Sequence, residues 1–322
     1  MDLHLGLRGR RLVAVLLAAA VAAFGLGLAG SAQAGTSTRH WKVWVGNQSK
    51  NMAVQGMRFL PGQVWIDEGD SVTWVANAAE FHTVTFFKGG QKQTTVSPFD
   101  PTSAKQTTRM GGTTYDTGKY FNSGIITTGK GLAAFPDWQI FSRYTLTFPH
   151  AGNFTYYCLV HGVMMTGTIH VRPDGTAYPS TQQQYNKRAT ARAAALVKNG
   201  ERLIASTRAK STAHHVFAGA ENSKVSVMRF LRGTVHIPVG TKVTFDDATV
   251  ATPHTVTFGP EPPGPAVLGP SGDPTSYKGG ALNSGIILPG QTFTVTFKKA
   301  GTFPYICALH DEMGMVGTVK VG

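Results

Sequence analysis

The chain is 322 residues long and 42% hydrophobic, and it carries 30 lysines and arginines against 17 aspartates and glutamates, a formal net charge of +13. That length holds two ordinary domains. Much of the positive charge is confined to an N-terminal segment and a connector, so nucleic acid is not an expected partner.

Residues 1–34 read as an export signal. Arg8, Arg10 and Arg11 supply a basic start, residues 12–30 an apolar run, and Ala32-Gln33-Ala34 a small-residue cleavage site. The run is just long enough to remain in a bilayer as an anchor, but its glycines and clean cleavage site favour removal. Arg10-Arg11 leaves both the general and the twin-arginine export routes open. Ser31 occupies the place where a lipidated cysteine would stand, so no lipid anchor is expected. Removal leaves 288 residues with 27 basic and 16 acidic side chains, a net +11. The expected destination is the periplasm, the medium or the cell surface.

After residue 34, short runs alternate apolar and polar residues with a period of two and are broken by Gly, Pro and Asn turns. Val64/Ile66, Val72/Trp74 and Tyr144/Leu146/Phe148 are examples. The pattern specifies antiparallel strands in a sandwich or barrel, an all-β class. An insertion over residues 131–142 carries Phe135, Trp138 and Phe141 and is expected to pack as a flap.

Residues 173–213 form a connector. Tyr185, Ala189, Ala193, Leu196 and Val197 recur at helical spacing, Asn199-Gly200 offers a stop, and Leu203 and Ile204 resume the pattern. A helix laid against a domain is expected. Residues 179–210 hold seven basic side chains against Glu201 alone. Contact with an anionic envelope or an acidic partner is one reading of that charge, and a solvated helix face is the other.

The second half repeats the first. Phe121-Asn122-Ser123-Gly124-Ile125-Ile126 corresponds to Leu282-Asn283-Ser284-Gly285-Ile286-Ile287, and Phe81-His82-Thr83-Val84-Thr85-Phe86 to Pro253-His254-Thr255-Val256-Thr257-Phe258. Duplication is the economical explanation. The two cysteines of the chain, Cys158 and Cys307, occupy equivalent places in the two copies, so the disulfide an exported pair would ordinarily form is not expected. Each has a histidine three residues on, His161 or His310, and methionines shortly after. Thiolate, imidazole and thioether together are ligands for copper. The upstream histidines, His82 and His254, complete a set in each copy. A β-sandwich can supply one histidine from an interior strand and three ligands from the loop between its last two strands. The Asn-Ser-Gly strings read equally as turns or as supports for the ligands. His40, His150, His170, His214, His215 and His236 fit no constellation.

Both copies resemble plastocyanin-type blue copper domains, the cupredoxins, over nearly all of residues 41–172 and 214–322. The resemblance implies two tandem Greek-key β-sandwich domains, residues 35–172 and 214–322, each with one type 1 copper. Carried onto matching positions, the ligands are His82, Cys158, His161 and Met165, and His254, Cys307, His310 and Met315. Three residues separate His161 from Met165 and four separate His310 from Met315, which leaves Met164 and Met313 as rivals for the axial place.

The implied function is single-electron transfer between redox proteins rather than catalysis, with copper storage or delivery as the alternative. Two-domain nitrite reductases and laccases carry a histidine directly before the cysteine. Tyr157 and Ile306 stand there instead, and the chain has no His-x-His pair. A binuclear centre would need two cysteines in one loop, and each loop has one. Partners are expected to dock near the solvent-facing edge of the C-terminal ligand histidine, by apolar contact beside His161, where Gly162, Val163 and Met164 follow, and with basic partners beside His310, where Asp311 and Glu312 follow.

Overall fold

The computed structural model describes residues 38–94, 99–130 and 135–322. The export signal, the first residues of the expected first domain and residues 131–134 of the flap lie outside the described residues. Among those described, no helix is long and apolar enough to cross a membrane.

Each copy folds as two facing β-sheets with an aromatic core between them. In the first, Trp74 meets Tyr156 edge-on at 5.1 Å between ring centres, with Phe86 against both. In the second, Phe245, Phe258 and Tyr305 repeat the cluster with centres 5.1 Å apart along the Tyr305 contacts. Such offset and edge-to-face pairs fill a sandwich core with few voids. One six-stranded sheet belongs to each copy.

A two-stranded sheet pairs Ile125–Ile126 with Ile140–Phe141, and the largest sheet is shared. Its eight strands run Arg143–Thr147, Ser71–Ala76, His40–Gln48, Val54–Leu60, Val225–Leu231, His215–Glu221, Lys242–Asp246 and Thr292–Thr296. Val54–Leu60 pairs antiparallel with Val225–Leu231, with Gln55 opposite Ser226. The tandem sandwiches are therefore fused edge to edge. Each copy thereby covers a strand edge of the other that would otherwise be open to foreign strands. Both seam strands are buried at six of their seven positions, a continuous rather than alternating pattern, because something packs on each face of the sheet.

On the outer face that something is the connector. Gln182–Arg208 is one helix of 27 residues, opened by a capping box between Thr181 and Gln184. It packs Ala189, Leu196, Leu203 and Ile204 over Val54, Leu60 and Val225. The expected stop at Asn199-Gly200 does not occur. Gly200 is buried against the seam, where an added Cβ would lie 2.3 Å from Val54 Cγ1, so this glycine serves close packing rather than termination. The seven basic side chains of residues 179–210 all lie exposed. We expect Gly200→Ala to lower stability by about 1–3 kcal/mol through overpacking, despite a gain in helix propensity of about 1 kcal/mol. Adding Val54→Ala should recover much of the loss, as read from denaturation midpoints. A single variant more stable than the parent would show that the helix does not sit this close.

Candidate metal centres

His82 sits in an isolated bridge, its N–H donating to the Ile126 carbonyl at 3.0 Å and its carbonyl accepting from Ile126 N–H at 2.8 Å. His254 does the same with Ile287. Cys158 ends the strand Gly152–Cys158, and Cys307 follows Gly301–Ile306. The chain then turns through the second histidine into the last strand, Gly162–Arg172 or Val316–Val321. The two turns differ by one residue for a visible reason. The first re-enters its ladder at once, with Gly162 opposite Cys158. The second makes a 3₁₀ turn over Asp311–Met313 that ends at Gly314.

In the first copy Cys158 Sγ lies 3.8 Å from His82 Nδ1 and 3.4 Å from His161 Nδ1. In the second, Cys307 Sγ lies 3.7 Å from His254 Nδ1 and 3.3 Å from His310 Nδ1, and the two Nδ1 atoms are 3.2 Å apart. Three donors around one ion at about 2.0–2.3 Å stand about 3.5–4 Å from each other, so both triangles fit a metal. All six residues are buried. Met165 and Met315 are fully buried in the clusters that hold Cys158 and Cys307. Met164 is only half-buried, whereas Met313 is packed beside Met315.

Burial sets the protonation of these groups. It pushes His161 and His310 down to about 3 and His82 and His254 well below the usual imidazole range, with neighbouring imidazoles adding to the effect on all but His310. The rings are neutral and ready to ligate. Burial pushes the thiols up, to about 11 for Cys158 and about 12 for Cys307, so a metal ion entering either triangle displaces a proton.

A model of the copper-binding plastocyanin/azurin family matches residues 215–322. Plastocyanin A′/A″ of Nicotiana tabacum is 33% identical over 96 residues, which cover 29% of this chain and 88% of the tobacco protein. The chain belongs to this family. Amicyanin-alpha of Methylorubrum extorquens is a further relative, 32% identical over 126 residues, 39% of this chain and 93% of the relative. Reduced auracyanin from Roseiflexus castenholzii aligns at 21% identity over 34% of this chain and 94% of its own, with a TM-score of 0.24.

Around the sulfur of each cupredoxin unit the same framework recurs. Thr83 N–H points at Cys158 Sγ at 3.4 Å, and Thr83 Oγ1 accepts from Leu159 N–H at 2.8 Å. Thr255 repeats both contacts, at 3.3 Å to Cys307 Sγ and 2.8 Å from Ala308 N–H. The chain continues through Thr85 to Asn122 and through Thr257 to Asn283, whose amides donate to backbone carbonyls. The Asn-Ser-Gly strings are thus braces for the sulfur loop. The Thr-x-Thr inside both histidine strings is the sequence signal for this role.

Two arginines tie the units together at the ligand loops. Arg58 donates to the Met164 carbonyl and, across the seam, to the Ser223 carbonyl. Arg229 donates to the Met313 carbonyl and back across to the Asn51 carbonyl.

The expectation of solvent-facing histidine edges is overturned. His161 is 1% exposed and His310 4%. Both Nε2 edges face Glu80, itself 3% exposed, whose Oε1 lies 3.7 Å from His161 Nε2 and whose Oε2 lies 3.7 Å from His310 Nε2. Beside them is a cavity of about 540 Å³ walled by Phe81, Phe99, Phe135, Trp138 and Leu309. The described part of the flap does pack as expected: Phe135 stacks on Trp138 at 4.5 Å and also reaches Ala308 and Val267 of the second unit. The apolar wall beside the two histidine edges is shared between the copies.

Proposed function

We propose that the protein is an exported blue copper protein with two mononuclear centres that passes single electrons between redox partners. His82, Cys158 and His161, together with Met165, would form one copper-holding set. His254, Cys307, His310 and Met315 form the other. The observation that carries the reading is the pair of buried Nδ1, Nδ1, Sγ triangles, duplicated with their threonine braces. Met315 is chosen over Met313 by register: Gly167 and Gly317 face Tyr156 and Tyr305 in the two ladders, and Met165 and Met315 each stand two residues before that glycine. Copper supplies a one-electron couple when bound.

The protein's own groups hold neutral imidazoles in place, donate N–H to the sulfur and keep water away. Four protein ligands leave no open position for a substrate. Rigid, buried and braced donors suit an ion that is retained, which favours electron transfer over copper delivery. The exposed basic face of Gln182–Arg208 suits an acidic partner or an anionic envelope surface.

Copper-loaded protein should contain two copper ions per chain and show intense thiolate-to-copper absorption. Cys158→Ser and Cys307→Ser should each retain one ion and lose the absorption of the altered centre. One ion in the parent, or a spectrum untouched by either substitution, would remove a centre from the proposal.

A further inference from the structure

We propose that Glu80 joins the two metal centres into one coupled redox pair, its carboxylate serving both ligand histidines at once. The inference rests on the two-centre copper reading above. When Nδ1 of His161 and of His310 is the ligand atom, the proton of each ring is on Nε2, and both Nε2 atoms face the same carboxylate. Each faces a different oxygen at 3.7 Å. Among the described residues, Glu80 Oε2 has no hydrogen-bond partner, and neither has His161 Nε2. A buried ring nitrogen and a buried carboxylate oxygen are thus left without a hydrogen-bond partner side by side, and an unanswered polar group at such a site is costly.

The placement is not inherited from the repeat. The second copy has Thr252 at the position of Glu80, two residues before its upstream histidine. Thr252 is turned instead to Glu221, donating from Oγ1 at 3.0 Å. One copy therefore supplies the bridge for both.

Two consequences follow from elementary electrostatics. Burial holds Glu80 up to about 8 in the metal-free chain, and positive ions behind both facing rings favour its ionised form; that carboxylate makes each ring a stronger donor and favours the more positive, oxidised ion. Because a single carboxylate does this for both rings, the charge at one centre changes how strongly the other is served, and the two potentials are interdependent. The bridge also gives an electron a route from one centre to the other: ring, carboxylate, ring, with one gap on each side. In that step one centre is oxidised, the other is reduced, and no proton or bond is gained or lost.

The test uses the full mature chain loaded with copper, the parent beside Glu80→Gln, which keeps the shape and removes the charge. Copper content and thiolate absorption are measured first. Both should remain at two centres, and if the parent itself fails this measurement it is the two-centre reading that falls. In a redox titration both potentials should rise in Glu80→Gln. In the half-reduced protein the exchange of the electron between centres, followed after flash reduction, should slow. A rise at one centre only, or unchanged potentials and exchange, would overturn the bridge. Should Glu80→Gln fail to accumulate folded, the parent decides: its potentials are compared with those of Cys158→Ser and Cys307→Ser, each holding one centre. Potentials in the parent that equal the two single-centre values would overturn the coupling, and displaced values would support it.

Discussion

Gly219→Ala is expected to empty the second metal centre, and Gly46→Ala the first, with little effect on the opposite one. Both glycines have left-handed backbones, with φ of +80° and +69°, which cost a residue bearing a Cβ about 1–2 kcal/mol. The larger effect is steric. A Cβ on Gly219 would lie 2.2 Å from His254 Nε2, and one on Gly46 would lie 2.6 Å from His82 Nε2. Neither ring can yield freely, because its backbone is held in both directions by Ile287 or Ile126. Turning the ring away instead takes Nδ1 out of the donor triangle. Loss of groups that orient a ligand histidine costs about 10- to 100-fold in metal affinity, and displacing the histidine itself should reach the upper end. Gly240→Ala is the control for strain alone, since that glycine has φ +88° and open space around its missing Cβ. It should lose some stability and keep both copper ions. Gly219→Ala protein with two copper ions and unaltered spectra would show that the ring is not seated against the glycine.

The same glycines show what could and could not be read from the chain. The ligand sets, the repeat and the period-two strands were legible because each leaves a local pattern. Cys158, His161 and Met165 lie within eight residues, and each has a counterpart in the other copy. What escaped notice acts across the fold. Gly46 and Gly219 matter because of histidines more than thirty residues away, which no local string announces. Glu80 leaves no trace in the repeat, because Thr252 stands at its place in the other copy. The shared sheet had left a trace, since Val54-Gln55-Gly56-Met57-Arg58-Phe59-Leu60 and Val225-Ser226-Val227-Met228-Arg229-Phe230-Leu231 are nearly identical. Their partner could not be named without the register. Asn199-Gly200 was misread because glycine ends helices by conformation but can also remain inside them to let a sheet approach.

Stripped of metal, the protein is expected to hold its tertiary structure down to about pH 4.5 and to lose it steeply by about pH 3. His161 and His310 titrate at about 3 when folded, and His82 and His254 lower than usual, through burial. Unfolded imidazoles take up a proton near pH 6.5. A group whose folded pKa is depressed in this way gives stability that is present above its unfolded pKa and lost as pH falls. Three buried carboxyls have the opposite sign: burial pushes Glu80 up to about 8 and Asp247 to about 7, and raises Glu221. Their contribution is lost as pH rises. Between about pH 6.5 and 4.5 the uptake by four imidazoles is therefore partly offset by release from Glu80 and Asp247, with Glu221 acting in the same direction, and the loss of stability is shallow. Below about pH 4 the carboxyls are protonated in both states. Nothing then offsets the imidazoles, and the slope approaches about 5–6 kcal/mol per pH unit, enough to consume a stability of about 5–15 kcal/mol within one to three units. Near-ultraviolet circular dichroism across an acid titration reads the transition directly. A tertiary signal intact at pH 3, or one fading evenly from pH 6.5, would contradict the assigned protonation. With copper bound the transition should move to lower pH and sharpen. Binding stabilises the folded state by mass action, and each thiolate must also recover a proton before its centre can open.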